Sequence, residues 1–228
     1  MSKPVTLANG LRAYPIDGKL YYGITSILGA SGSEHGANIM AAWKERVGQE
    51  EADRIGREAS IRGTAIHKWA EEYLQGKEPA LDEPLAIPYW KSILPVLDEI
   101  TNVRFQEKRV YHPVYGYAGT LDCYATFRGV ENTLIDFKTS AKAKRFDWIE
   151  HYCIQTVAYS AAVKACHGLT TNQTAIIIAR PEKTYKSVDK APKVTEAQVF
   201  TLCREEMIYY WDLWLERLKV FNERMSAA

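Results

Sequence analysis

The segment Leu134-Ile135-Asp136-Phe137-Lys138-Thr139-Ser140 carries two opposite charges, two residues apart, inside an apolar run. In an extended chain, period-two alternation sends Asp136 and Lys138 to one face and Ile135 and Phe137 to the other. Fourteen residues before Asp136, Gly119-Thr120-Leu121-Asp122 places a further carboxylate in a stretch expected to pair antiparallel with the first across a turn at 129–132. Two acids and a lysine then converge. That set suits phosphodiester hydrolysis: carboxylates hold Mg²⁺ or Mn²⁺ against a phosphate, the ion acidifies a water, and a lysine positions the nucleophile and offsets developing charge. Alone, Asp136 and Lys138 read as a salt bridge on a solvated sheet face. Asp122 turns the balance toward chemistry.

Two helical pairs join this set, because residues four apart share a helix face. His67 and Glu71 lie in RGTAIHKWAEEYL, and Gln155 and Tyr159 in QTVAY. Alone, His67 reads as a core or surface residue, while Gln155 and Tyr159 read equally well as a satisfied polar pair or as part of a site. Their weight comes from the company they keep.

The elements that must position these residues are legible in outline. Residues 1–32 are rich in turn formers, giving an extended or hairpin-like lead-in. Ser33 is placed as a helix N-cap, followed by two helices or one kinked helix to about Gln75 with a break near Gly48. A further helix is expected between Pro84 and Ile100, with Pro88 near its first turn and Pro95 as a kink. Segments 103–112, 117–128 and 132–138 are expected to form a three-stranded meander, followed by a helix over 147–167 that stops at Gly168. A strand over Thr174–Ala179, a partner for it at Thr184–Val188, and one long helix from Thr195 to Met225 complete the reading. The order predicts an α+β core with an added helical segment at the front. Residues 1–100 form that front segment, packed on a core of residues 101–228 as one compact domain.

Composition excludes some alternatives. The 29 basic and 28 acidic residues give a formal net charge of +1, so a nucleic-acid partner must be met by a local patch. The four cysteines, Cys123, Cys153, Cys166 and Cys203, contain no CxxC pair, which argues against a zinc or iron-sulfur centre. No run reaches membrane-spanning length. With neither a signal-like nor a transit-like start, the expectation is a cytoplasmic protein of a bacterium or an infecting phage.

Helical His, GxxD-like strand, DxK strand and QxxxY helix, in that order, resemble the RecB-type branch of the PD-(D/E)XK nucleases. The chain resembles still more closely the mitochondrial genome maintenance exonuclease family, through Tyr117–Asp122, Ile135–Ser140, Gln155–Tyr159, the TxIL-like Thr25–Leu28 and the Trp-rich Tyr209–Leu218. The resemblance implies a restriction-endonuclease-like core of mixed sheet flanked by helices. It implies Asp122 and Asp136 as ligands of Mg²⁺ or Mn²⁺, the Phe137 carbonyl as an added oxygen, His67 beside or within the metal shell, and Lys138 as the catalytic lysine. Glu71, Gln155 and Tyr159 would orient ligands or nucleotide. No iron-sulfur cluster is expected, since only Cys203 lies late in the chain where relatives that bear one carry three cysteines.

For substrate, Arg62, Thr139, Ser140, Lys142, Lys144 and Arg145 are the candidates for phosphate contact, the last three leaving the end of the catalytic strand. Arg54, Arg57, Arg180, Lys183 and Lys186 are basic too, and most such charges merely solvate a surface. Tyr22 or Trp43 are candidates for stacking bases, whereas Trp211 and Trp214 read as core. By the family resemblance, residues 33–62 form an arch that admits a free single-stranded end. The expected activity is therefore an exonuclease on single-stranded DNA, with replication or recombination proteins as possible associates. A duplex-resecting enzyme resembling λ exonuclease and a non-catalytic nucleic-acid-binding module are the alternatives.

Overall fold

The computed structural model describes residues 3–181 and 196–227. The expected strand at Thr184–Val188, with Lys183 and Lys186, lies outside the described residues.

The lead-in is a small antiparallel unit of β1 (Val5–Thr6), β2 (Arg12–Ile16) and β3 (Lys19–Gly23), followed by a short helix α1 (Ile24–Ala30). The turn residues of this segment point to the hairpin, but α1 departs from the extended reading. Its apolar Ile24 and Ile27 are spaced to bury on one helical side, and both are buried. Ser33 caps α2 (Glu34–Val47) by accepting the Gly36 N–H, and Gly48, at φ +86°, separates it from α3 (Gln49–Leu74). Only glycine takes that φ cheaply, so the break falls there. In α4 (Ile87–Leu97), Pro88 sits in the first turn and Pro95 inside.

The meander is present as β4 (Ile100–His112), β5 (Tyr117–Phe127) and β6 (Val130–Thr139). After a 3₁₀ turn at Phe146–Trp148 come α5 (Glu150–His167), closed by Gly168 in the left-handed region, and β7 (Gln173–Ala179). The expected single helix from Thr195 is corrected: β8 (Gln198–Leu202) precedes α6 (Arg204–Ser226). Gln198–Leu202 pairs antiparallel with β7 and satisfies that strand's free edge. Helix α6 begins only after a capping box in which Glu206 accepts the Cys203 N–H.

The eight strands among the described residues form one mixed sheet, β1-β2-β3-β5-β6-β7-β8, with β4 also on β5. Helices α1, α5 and α6 cover one face over Leu121, Tyr124, Leu134, Ile176 and Ile178; α3 and α4 cover the other over Cys123, Ile135, Phe137 and Ile177. Hence Phe137 points toward α3, and its neighbours Asp136 and Lys138 toward α5. Among the described residues no helix is long and apolar enough to cross a membrane.

Candidate active site

The site lies where the sheet opens. The β5–β6 ladder ends at Cys123↔Ile135. Beyond it β6 continues alongside β7, pairing Phe137 with Ile177 and Thr139 with Ala179, while β5 continues with β4 and β3. In the opening a side chain takes over from the ladder: the Phe137 N–H donates to Asp122 Oδ2 at 2.7 Å. The divergence thus turns a backbone pair into a fixed carboxylate.

His67, on the buried half of α3, reaches the same opening. Its Nε2 lies 2.8 Å from the Phe137 carbonyl, and because a carbonyl only accepts, Nε2 carries the proton. Its Nδ1 stands 3.4 Å from Asp122 Oδ1 and 3.8 Å from Glu107 Oε1. Asp136 is held from two sides, by an ion pair between its Oδ2 and the Lys138 ammonium and by the Gln155 amide, which donates to Oδ1 at 3.3 Å. The Lys138 ammonium also sits over the Tyr152 ring, 5.2 Å from its centroid. Tyr159 packs against β5, and the reason for Gly119 becomes visible here. A Cβ at Gly119 would fall 2.5 Å from Tyr159 Cε1, closer than any real contact. The GxxD and QxxxY segments are therefore sterically matched.

The electrostatics follow from this crowding. Burial pushes the Asp136 carboxyl up to about 6, opposed by the Lys138 ammonium. Asp122 is also penalised by burial, but His67 and Lys138 outweigh that and hold it below the usual carboxylate range. Burial pulls the His67 imidazole down, yet the facing Asp122 and Glu107 carboxylates overcome it and lift the group to about 10. Burial likewise opposes charge on Lys138, and Asp136 and Asp122 outweigh it, so the lysine stays cationic. Strongly perturbed groups gathered at one opening are a pattern that functional sites share with structural ion-pair networks, and they make this opening the candidate active site.

The structure brings together His67, Asp122, Asp136, Phe137, Lys138, Gln155 and Tyr159. Glu71 stands one turn along α3 from His67; its carboxylate accepts from Gln75 Nε2 at 3.2 Å, and it lines a cleft shared with Arg12, His67 and Glu107. Arg62 also belongs to the neighbourhood, donating to Thr139 Oγ1 at 3.4 Å and stacking on Tyr89 at 4.5 Å. The loop after β6 is partly committed elsewhere. Ser140 Oγ donates to the Lys142 carbonyl, Lys144 exchanges backbone hydrogen bonds with the Gln198 side chain, and Arg145 pairs with Asp147 at 3.0 Å. Sequence reading missed Glu107, which looked like one polar residue among several in Gln106-Glu107-Lys108-Arg109. It also missed Tyr152, Arg217 and Arg224, which line a cavity of about 670 Å³ beside Gln155.

Sheet, opening and acid-lysine set resemble the arrangement expected of a PD-(D/E)XK-like nuclease relative. The chain is similar to mitochondrial genome maintenance exonuclease 1: it is 29% identical to the Mus musculus protein over 89% of its own length and 59% of that protein's. For the Homo sapiens protein the identity is 26%, over 92% of this chain and 60% of the relative. The chain thus spans about three fifths of the length of the relatives it matches. A phage related exonuclease from Haemophilus somnus superposes with a TM-score of 0.30 at 14% identity, covering 72% of this chain and 82% of that one. No family model matches the sequence.

Proposed function

We propose that the chain is a divalent-cation-dependent deoxyribonuclease that hydrolyses single-stranded DNA from a free end. The observation that carries this reading is the convergence of His67, Asp122, Asp136, the Phe137 carbonyl and Lys138 in the opening between β5 and β6. The donor set fits a divalent cation. Hard carboxylate and carbonyl oxygens suit Mg²⁺, and an imidazole among them admits Mn²⁺ at least as well. Asp122, Asp136, the Phe137 carbonyl and His67 would hold it; when bound, the ion polarises the scissile phosphate and acidifies a water. The protein's own groups do the rest. Lys138, kept cationic by Asp136 and Asp122, donates to the attacking water and offsets charge that develops on the phosphate. Gln155 orients Asp136 by donating to its Oδ1, and Tyr159 packs closely over Gly119 of β5.

A strand path is supported by charge. The cavity on the Lys138 side is walled by Leu28, Met40, Tyr152, Arg217 and Arg224, and none of the described residues lining it is acidic. Above it, the described residues of α2 are exposed except for half-buried Trp43 and Val47, as an arch over a threaded strand requires. Arg62, Thr139, Lys142 and Lys144 flank the exit from β6. Arg217 and Arg224 bond the carbonyls of Ala30, Ser31 and Gly32, so they anchor the foot of α2. The kinship with proteins named as exonucleases supports end-dependent action in DNA replication, recombination or degradation.

The test incubates labelled linear and circular single strands, and matching duplex, with Mg²⁺, Mn²⁺ or EDTA. The proposal expects metal-dependent loss of linear single strands alone. Cleaved circles would make it an endonuclease, preferred digestion of linear duplex would favour a λ-exonuclease-like enzyme, and no cleavage would leave a binding module.

A further inference from the structure

We propose that Glu107 is a further ligand of the divalent cation, completing with His67 and Asp122 a donor set on the side of the site away from Lys138. This deepens the function proposed above and rests on it. The donor atoms that His67, Glu107 and Asp122 can each offer lie within 4.8 Å of one another.

Strand register makes this convergence improbable by chance. Gln106 pairs with Cys123 and Lys108 with Leu121, so Glu107 faces Asp122 directly across the β4–β5 ladder. Like charges in directly opposed positions destabilise a sheet. The alternation of both strands also slips at this pair. Leu121 and Tyr124 both enter the α5-side core, while Cys123 enters the other. On β4, Gln106 reaches the Glu71 carbonyl of α3, while Phe105 and Lys108 meet on the opposite side. Glu107 absorbs the slip with φ +44°, a region that asparagine or glycine would occupy at lower cost. The slip turns an acid that plain alternation would direct toward α5 into contact with His67.

Charge accounting says what the acid is for. Asp136 has both oxygens engaged, by Lys138 and Gln155, and Asp122 Oδ2 is held by the Phe137 N–H. Asp122 Oδ1, the Glu107 carboxylate and His67 Nδ1 face each other with only the long 3.4 Å and 3.8 Å contacts between them. One dication neutralises both carboxylates. Glu107 is exposed along the cleft that Arg12 and Glu71 also line, which leaves an ion a route in from solvent. Two carboxylates and an imidazole favour Mn²⁺ over Mg²⁺.

Calorimetric titration of the full chain with Mn²⁺, for wild type, Glu107→Gln and Glu107→Asp, tests the assignment. Loss of a direct ligand should weaken Mn²⁺ binding by at least about tenfold in Glu107→Gln. The rise in melting temperature on adding Mn²⁺ should shrink in Glu107→Gln. Glu107→Asp keeps the charge, tolerates the positive φ and shortens the reach, so it should weaken binding even if the glutamine variant folds poorly. Unchanged Mn²⁺ affinity in both variants, in a wild type that binds Mn²⁺ and cleaves, would overturn the role of Glu107 and leave the nuclease reading standing. A wild type that neither binds Mn²⁺ nor cleaves would overturn both.

Discussion

The opening between β5 and β6 has two unlike sides. Toward α3 lie His67, Asp122, Glu107 and Glu71, an acid-rich wall whose imidazole is raised to about 10 by the facing carboxylates against the pull of burial. Toward α5 and α6, next to the paired Asp136 and Lys138, lie Tyr152, Arg217 and Arg224, lining a cavity with no acid among its described residues. A chain with a net charge of only +1 thus separates its charges over one site. The difference teaches that a neutral total hides a local dipole suited to a cation on one side and a phosphate chain on the other.

The largest way to break that arrangement is to remove an acid. Asp122→Asn should lower single-turnover cleavage by about three orders of magnitude or more, since it removes a proposed cation ligand and weakens the anchor of the Phe137 N–H. Removing the opposite charge should cost less: Lys138→Ala is expected to reduce turnover about 10²- to 10³-fold while Mn²⁺ binding, followed by calorimetry, persists.

Proton competition sharpens the comparison. Cation binding requires Asp136 and His67 without their protons, and these groups are held at about 6 and about 10. Mn²⁺ affinity should therefore rise as pH increases from 5 to 8, by up to about tenfold per unit for each proton displaced. In metal-free protein the sign is opposite for stability. His67 has a folded pKa raised from 6.5 to about 10, so its ionic contacts stabilise fully below 6.5 and that contribution is lost as pH climbs through 10. Thermal melts in EDTA across that window should show the loss, and Mn²⁺ should counter it.

Smaller effects test the frame around the site. Gly119→Ala should destabilise the fold by about 1–3 kcal/mol, because the added methyl collides with Tyr159. Combining it with Tyr159→Ala should recover part of that loss in denaturant melts, as expected of contacting residues. Smallest of all, Arg145→Ala should change stability by less than about 1 kcal/mol, because its exposed pair with Asp147 contributes little.

How much of this was legible in the sequence depends on the range of the interaction. Asp136 and Lys138 sit two apart on one strand, Ser33 caps the next turn, and Gly48 breaks a helix by its own φ; each is a local property that periodicity and residue type report. The meander was equally plain from its turns. Glu107 was not, because its role comes from a slip in alternation matched across two strands, and nothing in Gln106-Glu107-Lys108 marks the positive φ. The strand Gln198–Leu202 was hidden for a related reason: its segment continues into a strongly helical sequence, and only the free edge of β7 makes it extend. Helix α1 was masked by the glycines around it. The cationic wall was the least legible part, since Arg217 and Arg224 lie far along the chain and reach the cavity beside Gln155 only through packing.

The most direct test of the account is cleavage of end-labelled linear single-stranded DNA by wild type and Asp136→Asn, each in Mn²⁺ and in EDTA. The account predicts degradation by the wild type in Mn²⁺ and in no other arm. Equal degradation by Asp136→Asn, or by the wild type in EDTA, would contradict it.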